Sequence, residues 1–371
     1  MIKFIDFQTQ YRRIKENLLP QIENFLESGN YIMGKQVYDL EEQLSKYVGR
    51  KYCLTCASGT DALLIPLMAL DIGINDAVFV PSFTFFATAE SVSLVGATPV
   101  FVDIEPDSFN IDPINLEYQI EKIIKGNKLT PKAIIPVNLF GVIADYNKIY
   151  SIAEKYNLFI IEDAAQSFGS TLDHKKSCSF GNVSATSFYP AKPFGCYGEG
   201  GAIFTDEEDL YNRMYSIRVH GQGIDRYVNE RIGLNARFDT FQAIILLEKL
   251  KIFDDEFNQR RIIAKKYSNS IKTLKCPVEP DNQKISWAQY SVLADSKDHR
   301  EFYLNILKEK GVPTGIYYPI PLHLQKAYEF LGYKKGDLHI SEDLADRIFS
   351  LPIHPYMNDE EINYIVEILN N

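Results

Sequence analysis

The sequence contains no uninterrupted apolar run of about 18 residues, the length a membrane-spanning helix requires, so no such span is expected. Its first residues, Met1-Ile-Lys-Phe-Ile-Asp-Phe-Gln, meet charge before a signal-peptide core can form, which points to a cytoplasmic protein. Basic residues are outnumbered, 39 Lys and Arg against 49 Asp and Glu, for a net charge of −10. A general basic surface for nucleic acid or for an anionic membrane is therefore not expected, and an anionic substrate needs a locally basic site. Cysteine is scarce and odd in number, at five, which argues against a disulfide scaffold. Cys53 and Cys56 form a C-x-x-C pair, but no second pair and no histidine cluster stands at metal spacing. Structural cysteines and no metal follow. With no internal repeat and no low-complexity tract, what remains is a globular chain of 371 residues, 46% hydrophobic and long enough for two domains.

Apolar periodicity divides the chain. Ile14, Leu18, Leu19, Ile22, Phe25 and Leu26 stand at helical spacing and predict a helix over 10–30 that Pro20 kinks or splits. A second helix is expected over 37–47. Short strands then alternate with helices: strands at 52–55, 78–81, 98–103, 132–137, 158–161, 183–189 and 201–205, helices at 62–70, 87–95, from 113, 145–156 and 207–217. Such alternation predicts an α/β fold, a parallel sheet covered by helices on both faces, with ligand groups at the carboxyl ends of the strands. The pattern predicts a large domain over 1–250, a linking helix over 253–274 after one at 241–250, and a small α/β domain over 251–371. That smaller part reads as strand 287–294, helix 299–310, strand 312–318 and helices at 338–350 and 359–369.

Five segments are candidates for chemistry. Ser187-Phe-Tyr-Pro-Ala-Lys192-Pro-Phe-Gly-Cys-Tyr-Gly-Glu-Gly-Gly201 sets one lysine between a proline-bounded aromatic run and a loop of four glycines. A lysine with such neighbours loses hydration, which disfavours its charged form and suits a Schiff-base nucleophile; alone, the stretch also fits a surface turn. Ala57-Ser58-Gly59-Thr60-Asp61, between a strand and a helix, fits a phosphate site at a helix N-terminus, or a simple N-cap by Ser58 or Thr60. Asp163 ends the apolar strand Leu158–Ile161 within Glu162-Asp163-Ala-Ala-Gln166. It would be costly to bury without a cationic partner, and fits the carboxylate that holds a pyridine nitrogen, or a helix cap. Phe83, Phe85 and Phe86 follow a strand exit and either cover a flat ring or fill core. The polar, arginine-rich segment 218–239 is of the kind that is functional or disordered.

In combination, Ser58-Gly59-Thr60, Pro81-Ser-Phe-Thr-Phe85, Glu162-Asp163-Ala-Ala-Gln166, Ser187-Phe-Tyr-Pro-Ala-Lys192, Gly198-Glu-Gly-Gly201 and Asn235-Ala-Arg-Phe-Asp-Thr-Phe-Gln-Ala243 give the chain its resemblance to a family. It resembles the DegT/DnrJ/StrS sugar aminotransferases nearly end to end, from Phe4-Ile-Asp to Ser350-Leu-Pro-Ile353. The resemblance implies an aspartate-aminotransferase-type (fold type I) enzyme with a mostly parallel seven-stranded sheet and a small C-terminal domain. Its cofactor would be pyridoxal 5′-phosphate, passing through pyridoxamine 5′-phosphate. Lys192 would form the Schiff base and shuttle the proton, and Asp163 would pair with the pyridinium nitrogen. Gln166 would contact the phenolic oxygen and Phe85 would stack on the ring. Ser58, Gly59, Thr60 and Ser187 would hold the phosphate with Asn235 of the neighbouring subunit in a homodimer with shared sites. His220, Arg237, Tyr317 and Tyr318 would face the sugar. L-Glutamate would donate the amino group and a nucleotide-linked keto-sugar would accept it, for a surface polysaccharide such as an O-antigen.

Lys192 also separates the chain from the dehydratases of the family, which have histidine there. The segments 192–199 and 218–222 look most like enzymes that make UDP-2-acetamido-3-amino-uronates from the 3-keto sugar. The run 318–325 is similar in transferases for dTDP-linked 3-keto-6-deoxyhexoses, and amination at C4 is a further alternative. A non-catalytic pyridoxal-phosphate-binding regulator is the alternative of another class; the intact pair of Lys192 and Asp163 counts against it, since a binding module does not need both. Two departures stand out. Ile244 replaces the commoner alanine after Gln242-Ala243, for which repacking is expected, and Tyr317 stands where the uronate group has histidine.

Overall fold

A sheet of seven strands carries the cleft. In the computed structural model, which describes residues 2–225 and 227–371, the large sheet and its helices are built from α1 (Phe7–Ser28), α2 (Lys35–Val48), β1 (Tyr52–Cys56), α3 (Gly59–Ala69), β2 (Asp76–Pro81), α4 (Ala87–Leu94), β3 (Thr98–Val102), α5 (Pro113–Gly126), β4 (Thr130–Ile134), α6 (Tyr146–Tyr156) and β5 (Phe159–Asp163). A small hairpin, β6 (Thr171–Leu172) and β7 (Lys175–Lys176), precedes β8 (Val183–Ser187), β9 (Gly201–Thr205), α7 (Glu208–Arg218) and α8 (Thr240–Ser270). The chain then adds β10 (Gln283–Lys284), β11 (Tyr290–Leu293), α9 (Lys297–Glu309), α10 (His339–Arg347), β12 (Ile348–Leu351) and α11 (Asp359–Asn370). Arg226, in the arginine-rich segment, lies outside the described residues.

The large sheet has the order β1-β9-β8-β5-β4-β2-β3, and only β9 runs antiparallel to its neighbours. Its reversal puts the start of β9 at the edge where β1 and β8 end: Gly201 is in register with both Cys56 and Ser187. Strand alternation sends Leu54, Val78, Val80 and Ile203 into one core with α3, α4 and α7, and Cys53, Phe79 and Phe204 to the opposite face. There α5 and α6, and separately α2 and α8, cover the sheet. A further core joins Ile263 and Tyr267 of α8 to Val292, Leu307, Phe349 and Ile365. The five cysteines are free, four of them buried. Among the described residues no helix is long and apolar enough to cross a membrane, and no cluster of His, Cys, Asp and Glu could hold a metal.

Several elements differ from the sequence pattern. Pro20 neither splits nor ends α1. It lies on the exposed side, where the Glu16 carbonyl it leaves unbonded can meet water, while Ile14, Leu18 and Phe25 are buried against Ile244 and Ile245 of α8. Ile244, the departure noted above, is thus a packing residue. The helices predicted at 241–250 and 253–274 are one, α8, which runs unbroken through the domain boundary predicted at residue 250. The strand predicted over 312–318 reduces to a single bridge between Gly315 and Ser350, since Pro313 and Pro319 can donate no ladder hydrogen bond. Its place is taken by β12, which the pattern had merged into a helix and which pairs with β11.

Segment 318–325 is moored to the sheet by buried polar contacts. Leu322 N donates to the Ser82 carbonyl at 2.7 Å, Ser82 Oγ meets His323 Nδ1 at 2.6 Å, and His323 Nε2 lies 3.1 Å from Glu342. Burial pulls His323 below the usual imidazole range, against the pull of Glu342, and burial likewise lowers His354. Below pH of about 6.5 the unfolded chain therefore binds more protons at these rings than the folded one. Their stabilisation is complete above that pH and is lost as the pH falls. Buried Glu162 and Asp163, whose carboxyls are raised, act with the opposite sign, so the variant comparison isolates the imidazole. The expected result is a melting temperature that drops less between pH 7.5 and 5.5 in His323→Gln than in the parent, read by circular dichroism; equal drops would contradict it.

Candidate active site

The edge where β1, β2, β5 and β8 end and β9 begins carries part of the predicted site: Ser58, Gly59, Thr60, Phe85, Asp163 and Ser187 end or follow these strands. At β1, Ser58 caps α3: its Oγ accepts the Asp61 N–H at 3.0 Å. The N-cap is therefore real, and it leaves the N–H groups of Gly59 and Thr60, which no carbonyl four residues back can serve, available to an anion at the positive end of the helix dipole. Close approach explains the glycines. A Cβ on Gly59 would lie 2.6 Å from Ser187 Cβ, and one on Gly201 would lie 2.4 Å from the Ser58 carbonyl oxygen. The Ser187 hydroxyl thus sits against the first turn of α3. Helix N–H groups with neighbouring hydroxyls are a donor set that fits a phosphate.

At the end of β5, Asp163 is buried and accepts hydrogen bonds from Thr88 Oγ1 at 2.9 Å and Ala165 N at 3.2 Å. It caps no helix. Desolvation raises its carboxyl above the usual range, against those two hydrogen bonds and the charge of Lys192. Lys192 is half-buried, and burial of its amine lowers its pKa, with Asp163 pulling the other way. Each group thus feels the other's charge, one an acid whose ionised form is disfavoured and the other an amine biased toward its neutral form. A carboxylate and an amine of this kind are the chemistry that would suit an aromatic nitrogen base carrying an aldehyde.

The three phenylalanines after β2 differ in their surroundings. Phe83 is buried in core, Phe86 packs beside Tyr328, and Phe85 is 55% exposed, its ring centroid 6.2 Å from that of Tyr318. Gln166 is buried with both ends of its amide engaged: Oε1 accepts from Phe140 N at 2.7 Å and Nε2 donates to the Tyr318 hydroxyl at 3.1 Å. Tyr318 is thereby fixed to the sheet, with Tyr317 beside it, ring centroids 6.0 Å apart, and Phe4 at 6.4 Å from Tyr317.

His220, Asn235 and Arg237 form a separate group on the exposed loop between α7 and α8. Arg237 Nε donates to Asn235 Oδ1 at 3.0 Å, and the His220 carbonyl accepts from Asn229 Nδ2 at 2.8 Å. The loop backbone is anchored next to the Ser58 turn, where Ala57 N donates to the Ala236 carbonyl at 3.2 Å. Within this segment, bridges pair Val219 with Asn235 and Gln222 with Asn229.

Two contributors escape a sequence reading. Thr88, which bonds Asp163, is one small residue in the first turn of α4. Glu162, neighbour of Asp163, points to the opposite face and is fully buried, accepting from Asn138 Nδ2, Ser177 Oγ, Cys178 N, Phe180 N and Ser184 Oγ at 2.7–3.0 Å. It ties the strand that presents Asp163 to the loop before β8. The acidic pair in Glu162-Asp163 was the only signal for it.

A mostly parallel seven-stranded sheet with a buried carboxylate, a desolvated lysine and a phosphate-shaped helix start at one edge defines a fold type I, pyridoxal-phosphate-dependent aminotransferase. The chain belongs to the DegT/DnrJ/EryC1/StrS aminotransferase family, nucleotide-sugar aminotransferases, whose sequence model matches residues 12–370. It is 45% identical to the UDP-2-acetamido-2-deoxy-3-oxo-D-glucuronate aminotransferase of Pseudomonas aeruginosa, over all of both chains. It is 38% identical to the dTDP-3-amino-3,6-dideoxy-alpha-D-galactopyranose transaminase of Aneurinibacillus thermoaerophilus, covering 100% of this chain and 99% of the relative. Among solved structures, a DegT/DnrJ/EryC1/StrS aminotransferase from Brucella abortus superposes with a TM-score of 0.96 at 48% identity, over 100% of this chain and 98% of that one. Homologues have been solved in pyridoxal phosphate and pyridoxamine phosphate forms.

Proposed function

We propose that the protein moves an amino group from L-glutamate to a UDP-linked 3-keto N-acetyl uronate, in the cytoplasm, for surface polysaccharide synthesis. The observation that carries the substrate is the full-length 45% identity to the Pseudomonas enzyme. The observation that supports the chemistry is the convergence of Lys192, Asp163, Ser187 and the start of α3 on one edge of the sheet. Pyridoxal phosphate, when bound, supplies an electrophilic carbon and an electron sink. Around it, the N–H groups of Gly59 and Thr60 and the hydroxyls of Ser58, Thr60 and Ser187 hold the phosphate. The Asp163 carboxylate, oriented by Thr88, would receive the pyridine N–H, with Phe85 over the ring and Gln166 toward its phenolic oxygen. The Lys192 amine would hold the cofactor and, when free, would serve as the base for the proton on the substrate carbon that bears nitrogen.

His220, Arg237, Tyr317 and Tyr318 take the nucleotide sugar, with Arg237 supplying the local positive charge that an acidic chain needs for an anionic substrate. We place Asn235 in the site of a second copy of the chain. In support, Ile224, Val228 and Ile232 on the same loop are exposed by 107%, 54% and 86%, an apolar surface that a partner would cover. If sites are shared, mixing Lys192→Ala with Asn235→Ala subunits regains about a quarter of the parent activity, since half the dimers are mixed and each has one intact site. Activity no higher than either variant alone would place each site within one chain.

The substrate is tested by the reverse half-reaction, which needs no keto-sugar. A UDP-linked 3-amino uronate is expected to bleach the visible band of the pyridoxal form, and a dTDP-linked 3-amino-6-deoxyhexose to leave it. The opposite preference would transfer the assignment to the deoxyhexose, with Tyr317 as its structural correlate.

A further inference from the structure

Lys249 of α8 is 3% exposed, and among the described residues it has no carboxylate within ion-pair distance. An unpaired ammonium in the core costs several kcal/mol that a methionine or leucine of similar size would not. Burial lowers its pKa to about 8, with Glu256 and Cys196 opposing the shift and Arg260 adding to it. Its amine donates to the backbone carbonyl of Gly195 and sits 5.0 Å from the centre of the Tyr197 ring. The loop that bears Lys192 closes at this glycine. A Cβ on Gly195 would lie 2.4 Å from the Tyr189 carbonyl oxygen and 2.6 Å from that of Pro190, so the turn is folded onto itself with Lys192 at its apex. Lys192 N donates to Tyr189 O at 2.9 Å inside it, and Cys196 N to Phe188 O at 2.7 Å across its base.

Two more side chains of α8 hold the same strand of loop. Gln242 Oε1 accepts from Tyr197 N at 3.0 Å, and Arg260 Nη1 reaches the Pro193 carbonyl at 3.4 Å. Residues 242, 249 and 260 lie two and then three turns apart, on one face of the helix, and meet residues 197, 195 and 193 in turn. The carboxylate between them, Glu256, is occupied from elsewhere: Gln10 Nε2 donates to it at 2.9 Å and the Tyr356 hydroxyl bonds its other oxygen.

We propose that Lys249 is a positioning residue for the reaction: by holding the Gly195 carbonyl from α8 it fixes the closed turn that aims the Lys192 amine at the cofactor. This rests on the reading of Lys192 given above. The long lysine stem carries its terminal donor across the core to that carbonyl.

The test follows capture of pyridoxal phosphate by the cofactor-free protein, as the rise of the visible absorbance band, alongside thermal melting. Lys249→Met is expected to fold, since losing a buried charge offsets losing its hydrogen bond, and to capture the cofactor about 10- to 100-fold more slowly, the order of cost of a reacting group displaced by an ångström. Lys249→Arg, which keeps a charged donor, is expected to recover most of that rate. A folded Lys249→Met that captures at the parent rate would overturn the proposal. Should that variant not fold, Lys249→Gln takes its place with the same slow capture expected; failure of both to fold makes Lys249 a residue of the core alone and also overturns it. A parent protein that captures no pyridoxal phosphate would instead contradict the reading of Lys192.

Discussion

Lys192→Ala loses at least roughly 10⁴-fold in turnover, the upper end of what one positioned acid–base group contributes, because the same amine also supplies the covalent attachment. The protein nonetheless folds. The backbone contact of Lys192 to Tyr189 O does not depend on its side chain, and truncation removes an ammonium whose burial disfavours its charge. Circular dichroism with a melting curve within a few degrees of the parent, together with absent transamination under single-turnover conditions, is the expected pair of results. Measurable transamination in the folded variant would mean that another base serves the site.

Asp163→Asn is the second large effect. The amide keeps the volume and can still accept from Thr88 Oγ1, but it places no negative charge at the pyridine nitrogen. A fall in kcat of about 10²–10³-fold is expected, the scale of removing one preorganised electrostatic contact to developing charge. Stability moves the other way or not at all, since burial already disfavours the ionised carboxyl. Thr88→Val, which leaves the charge and removes only its orienting hydroxyl, is expected to show a smaller loss in the same direction. A kcat for Asp163→Asn within a few-fold of the parent would show that the carboxylate is not the partner of the ring.

Both residues stand out in the sequence because each violates its local context: a lysine among prolines and aromatics, and an acid closing an apolar strand. The sheet was legible for a similar reason. Buried parallel strands are mostly apolar, so the runs at 78–81 and 158–161 announce themselves. Elements whose pairing is distant were not legible. Ile348–Leu351 becomes a strand through Tyr290–Leu293, some sixty residues earlier, and residues 312–318 look like a strand until Pro313 and Pro319 are placed beside that pair. The site divides along the same line. Gln166 and Tyr318 meet across 152 positions, and Lys249 and Gly195 across 54. No periodicity within either segment encodes those contacts, which exist only once the fold has closed.

The central claim, that Lys192 is the amine around which the chemistry turns, is tested most directly by borohydride reduction of the protein saturated with pyridoxal phosphate, followed by peptide mass mapping. The account predicts a cofactor-derived mass fixed to the peptide that carries Lys192, and its loss when L-glutamate is added before the reductant. A label on a different lysine, or a coloured protein that yields no reduced adduct, would contradict it.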